Sequence, residues 1–159
     1  MYRYYFDDDI TVENVNNLVE KLQAVKSKIT LYFSTDGGSP SAMNFLMDFL
    51  NSRKEDIKIV MTGRCYSAGC DIFVFFEGEI FVEELDCVLF HVLDREKYAH
   101  RVDSYVANSK ILAKQDMQYN IIFAEKIKNK GLLTDKQIKD FLKGKNVIVY
   151  QDQIKTWKL

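Results

Sequence analysis

One order of patterns runs through the whole chain. Short apolar runs that read as strands alternate with amphipathic stripes at helical spacing, from one end to the other. Arg3 to Phe6 reads as an opening strand. Thr11 is a suitable N-cap, and Val15, Leu18, Val19 and Leu22 follow at helical spacing. Ile29 to Phe33 reads as a second strand and runs into Asp36-Gly37-Gly38. Ser39 and Pro40 suit the N-cap and first-turn positions of a helix, with Ala42, Phe45, Leu46, Phe49 and Leu50 as its apolar stripe. Ile57, Ile59 and Met61 alternate as a third strand. A short helix is expected from Ala68 to Phe76, then two strands, Glu79 to Val82 and Cys87 to Val92. A single long helix is expected over Tyr98 to Asn129, with two helices broken near Ser109 as the alternative. About 30 helical residues span roughly 45 Å, so this helix would protrude from the domain and meet a partner. Thr134 caps a helix to Leu142, Val147 to Tyr150 is strand-like, and Gln151 onward is helical. Such alternation implies a mainly parallel α/β sheet with helices on its faces, and ligands then gather where strands end and helices begin.

Composition narrows the class of function. With 159 residues and no internal repeat, the chain reads as one domain over residues 1–159. It carries 22 basic and 23 acidic residues, so no strong field favours nucleic acid or an anionic membrane. The start turns acidic at Asp7-Asp8-Asp9, unlike a signal peptide, and no apolar run has the length of a membrane span. Three cysteines are too few and too odd in number for a disulfide framework, which points to the cytoplasm.

Four groups of residues could carry chemistry. Gly37-Gly38 lies between a strand and a helix, either as a plain tight turn or as backbone N–H donors aimed at one point. Ser67 stands at a strand-to-helix corner, either as an N-cap or as an exposed hydroxyl where positive partial charge favours a developing anion. Cys65 stands where a Gly-x-Ser-x-Gly elbow would need Gly, which excludes the α/β-hydrolase pattern. His91 closes an apolar strand, as a satisfied core residue or as a base; His100 reads as surface. Cys65, Cys70, Cys87 and His91 lack the paired spacing of a zinc site, so neither metal nor cofactor is expected.

The order and spacing of these motifs resemble the proteolytic subunit of the Clp protease, the ClpP family of the ClpP/crotonase fold. Ile29 to Ser39, reading ITLYFSTDGGS, is similar to the family's I-x-L-Y-I-N-S-P-G-G-S. Ile57 to Gly69, IKIVMTGRCYSAG, matches a strand, a Gly and then A-A-S-M-G. His91 lies 24 residues after Ser67, close to the family's interval, and Asn146 to Leu159 resembles the family's D-R-F-L-S-A-P-E-A-V-E-Y-G-L. The resemblance implies a spiral of β-β-α units with a long protruding handle helix at about residues 98–130. It further implies a serine endopeptidase acting on peptides or unfolded proteins, with Ser67 as nucleophile, His91 as base and the N–H groups of Gly38 and Ala68 as oxyanion hole. A homo-oligomeric ring, or stacked rings, is implied as well.

The chain departs from the family at defined places. Asn146 aligns with the third catalytic residue, an Asp in the family. An Asn carbonyl orients the imidazole but does not stabilise imidazolium by charge, and in a chymotrypsin-type triad that change lowers the rate by about 10⁴. A shift of one residue would put Lys145 there; Asp140 or Asp94 could substitute if the fold brings either near. Asp36 replaces a Pro before Gly-Gly, and Val92 replaces a Gln after His. The family's pore-lining N-terminal segment has no counterpart, which argues against docking of a Clp-type ATPase. Asn146 favours a second reading, a catalytically inactive assembly or partner subunit. A third, a crotonase-type enzyme acting on an acyl-CoA thioester, lacks a basic cluster for the CoA phosphates and leaves Ser67 without a role.

Overall fold

Strands that follow one another in the chain lie side by side in the structure, a computed structural model that describes residues 1–93 and 109–159. The strands are β1 (Tyr2–Asp7), β2 (Ile29–Thr35), β3 (Ile57–Tyr66), β4 (Ile80–Phe90) and β5 (Val147–Tyr150), in sheet order β1-β2-β3-β4-β5. The pairs β1–β2, β2–β3 and β3–β4 are parallel. Helix α1 (Val12–Gln23) crosses from β1 to β2, and α2 (Pro40–Ser52) from β2 to β3. A 3₁₀ turn (Ser67–Cys70) and α3 (Asp71–Phe75) lead from β3 towards β4. Because the order never reverses, each crossover advances the chain by one strand, and the fold winds as a spiral.

Two compact units are present, Met1–Leu89 with Ile148–Leu159, and Phe90–Val147. In the first, β2 is buried along almost its whole length, as a central parallel strand requires. Leu31, Phe33, Ile59 and Met61 of the sheet and Leu18, Leu22, Leu46 and Leu50 of the helices are all buried in its core. Trp157 sets its ring edge-on to Phe73, with centroids 5.1 Å apart. The second unit holds α4 (Ser109–Asn129) and α5 (Asp135–Leu142), which pack together. Phe123 sits at its centre, 6.2 Å from Phe90 and 5.7 Å from Phe141 between centroids. A last short helix, α6 (Gln151–Ile154), follows β5.

Most boundaries agree with the sequence pattern, and the exceptions have physical reasons. Thr11 and Ser39 cap α1 and α2 through their hydroxyls, and Thr134 forms a capping box with Gln137. The third strand does not stop at Met61: a bulge around Gly63 keeps β3 paired as far as Tyr66. The two strands expected over 79–92 are one strand, β4, whose interior irregularity falls at Glu84 with φ 51°. In α2 the core face is Ala42, Met43, Leu46, Met47 and Leu50, so Phe45 stands exposed. The C-terminal helix ends at Ile154. In α4 the buried stripe is Asp116, Asn120, Phe123, Ala124 and Ile127, whereas Ile122 is exposed. Residues 98–108 of the expected long helix, with Tyr105 and Val106, lie outside the described residues, as do Asp94 and His100. Among the described residues, no helix is long and apolar enough to cross a membrane.

Candidate active site

The loop after β2 and the turn after β3 meet at one point. Gly37, at φ 101°, is buried against the residue that begins the turn. A Cβ on Gly37 would lie 2.7 Å from Ser67 Cβ and 2.8 Å from the Tyr66 carbonyl oxygen. No side chain fits there, so glycine is required for the loop to reach the serine.

The loop is pinned from both sides. The Thr35 hydroxyl is fully buried and accepts from the Gly37 N–H at 3.0 Å. Ile10, in the link between β1 and α1, donates its N–H to the Gly37 carbonyl and accepts from the Ser39 N–H, each at 2.7 Å. This parallel bridge uses the groups on either side of Gly38, so the N–H of Gly38 itself points the other way. Arg64 adds an exposed tie, with Nε 3.3 Å from Asp36 and Nη2 3.2 Å from Asp7. Asp36, which stands where the resembled family has Pro, is thus held by charge instead of by a fixed φ.

Ser67 is the first residue of the 3₁₀ turn and has φ 55°, one of two non-glycine residues with positive φ among the described residues. That conformation costs of order 1–3 kcal/mol for a residue with a Cβ and persists where the surroundings over-determine it. The N-cap of the turn is Tyr66, and no side chain caps it. Ser67 therefore does not do the ordinary capping job of a serine at such a corner. Among the described residues, the N–H groups of Gly38 and Ala68 have no acceptor. A strained serine, glycine backbone against it and two unspent donors in neighbouring loops are the parts that acyl transfer uses.

Around this corner the thiols are quiet. Cys70 is buried and donates from Sγ to the Leu89 carbonyl at 3.1 Å. Burial pushes its thiol pKa well up, so it stays neutral and unreactive. The Cys87 thiol lies 3.6 Å from the Tyr66 hydroxyl and raises the Tyr66 pKa, so that hydroxyl keeps its proton at neutral pH. Among the described residues, no group of three or more His, Cys, Asp or Glu is placed to hold a metal ion.

His91 and Asn146 belong to the second unit. His91 is half-buried, one residue beyond β4, and its Nδ1 lies 2.9 Å from the Val92 carbonyl oxygen. A carbonyl oxygen only accepts, so Nδ1 carries the proton and Nε2 the lone pair in the neutral ring. Asn146 is exposed, just before β5, with no hydrogen bond among the described residues. Asp140 is engaged elsewhere: Lys145 Nζ lies 2.8 Å from its Oδ1 and holds its pKa below the usual carboxylate value. Thr35, Ile10 and Arg64 carried no sequence signal for their parts in this site. A threonine just before Asp-Gly-Gly is ordinary in a strand, and a backbone strap leaves no residue signature.

No known family profile matches the chain, and no curated protein does. Among solved structures, it is similar to an Asn-to-Asp mutant of ClpP1 from Listeria monocytogenes, at 18% identity and a TM-score of 0.63. That likeness covers 96% of this chain and 85% of the other. At such identity the likeness speaks for architecture alone: the chain has a ClpP-like fold.

Proposed function

We propose that the chain is a serine-type peptidase that cleaves peptides or unfolded proteins through an acyl-enzyme. Ser67 attacks the scissile carbonyl carbon while His91 Nε2 takes its proton. The N–H groups of Gly38 and Ala68 receive the oxyanion. His91 then gives the proton to the leaving amine, and water repeats the sequence on the acyl-enzyme. The observation that carries this reading is Ser67 at φ 55°, packed on Gly37 and not used as a cap. The reading extends to a homo-oligomeric assembly and a cytoplasmic location, the latter on the free thiols.

A second reading, a catalytically inactive assembly subunit, is favoured by one observation: Asn146 is exposed and uncharged where an Asp was needed. Intact mass after treatment with a fluorophosphonate separates the two. The peptidase reading expects one adduct on the wild type and none on Ser67→Ala. A folded wild type that takes no adduct would leave the inactive subunit standing.

A further inference from the structure

One peptide group after His91 is held at both of its ends. Its carbonyl, that of Val92, accepts from His91 Nδ1 at 2.9 Å. Its N–H, that of Leu93, donates to Asn120 Oδ1 at 2.8 Å. The amide nitrogen of Asn120 then donates back to the Leu93 carbonyl at 2.9 Å. Asn120 is buried on α4, in one stripe with Asp116, Phe123, Ala124 and Ile127. A side-chain amide in such a stripe needs partners for both of its ends. Here both ends are spent on a single residue of the segment that follows His91.

We infer that Asn120 is a positioning residue: it fixes and polarises the Val92–Leu93 peptide, whose carbonyl orients the His91 ring. The inference rests on the peptidase reading and adds to it the group that sets the tautomer. Hydrogen bonds in line polarise one another, so an N–H held by Oδ1 makes the carbonyl across the same peptide a better acceptor. The ring is thereby kept with its proton on Nδ1 and its lone pair on Nε2, as a base for serine requires. The relay is neutral throughout. It orients the imidazole.

Two measurements test it together. The chain has two histidines, so ¹⁵N-histidine protein carrying His100→Gln reports the His91 ring alone. The expected spectrum shows a proton on Nδ1, replaced by a mixture of tautomers in Asn120→Ala. Fluorophosphonate inactivation, resolved into amplitude, KI and kinact, gives the second readout. Asn120→Ala is expected to slow kinact about tenfold with KI unchanged, the size of one lost orienting interaction. Asn120→Asp keeps an acceptor for the Leu93 N–H and is expected to recover about threefold of that loss. Misfolding would lower the amplitude and leave kinact alone. The inference is overturned if kinact stays within about twofold of wild type in both variants, or if Nδ1 stays protonated whatever stands at position 120. A wild type that takes no label would instead overturn the peptidase reading, and the ring spectrum would still decide the relay.

Discussion

Ser67 holds a left-handed backbone that its neighbours must maintain, and three of them do so in different ways. Gly37 yields space, Thr35 pins the loop by its hydroxyl, and Ile10 straps it by backbone. Gly37→Ala is therefore expected to cost about 1–3 kcal/mol in urea unfolding, and any folded fraction should take no label at Ser67. Thr35→Val keeps shape but leaves the Gly37 N–H buried without an acceptor. Its expected cost is about 1–3 kcal/mol, read as a lower urea midpoint with an unchanged slope. That Gly37 and Ser67 stand in loops at strand ends was legible in the sequence, because a Gly-Gly pair and a Ser between small residues break the strand pattern there. The strain at Ser67 was not legible, since serine is an ordinary residue at a helix start and only φ tells a cap from an elbow. Asn120 was hidden for a different reason. A polar residue in a helix reads as surface, and nothing local says that its stripe is the buried one.

Among the elements, α1 and α2 followed from capping residues and apolar spacing, whose physics is local. β4 did not. Glu83, Glu84 and Asp86 break its apolar run because that stretch faces solvent, while ladder bonds to β3 carry the strand through. The α2 stripe also differs from its sequence reading: Met43 and Met47 are on the buried face, and Phe45 is turned outward. Element ends are also held by distant residues. Arg53 donates to the Leu22 and Val25 carbonyls at 2.7 and 3.1 Å, closing the C-terminal end of α1. Arg53→Ala should cost about 2 kcal/mol by thermal or urea unfolding, and Arg53→Lys should recover little, because an ammonium cannot span both carbonyls as the guanidinium fork does. At the end of α5, Lys145 holds the Asp140 pKa below its unfolded value. The pair therefore stabilises above the unfolded carboxylate range, near pH 4, and that contribution fades as pH falls through the lower folded value. Asp140→Asn should flatten this part of the stability–pH curve, and added salt should do the same.

For the whole molecule, strand–helix alternation was enough to read the fold class, because crossover handedness leaves few ways to wind such a chain. The proposed homo-oligomer would have apolar side chains of α4 to cover. Ile111, Met117, Ile121 and Ile122 stand exposed along α4. Sedimentation should find species larger than the 18.6 kDa monomer, and Ile121→Asp with Ile122→Asp should shift them towards it. The unbroken strand order also bears on how the chain is made. Each described strand from β2 to β4 leaves the ribosome after one neighbour it joins, with Ile29 pairing with Tyr2, Ile57 with Ile29 and Ile80 with Ile59. Once β2 has met β1, every later described strand finds an edge already made, so the growing edge of the sheet is always the newest. The serine corner thus has both of its loops before the segment carrying His91 is translated, and it can set vectorially, ahead of that segment.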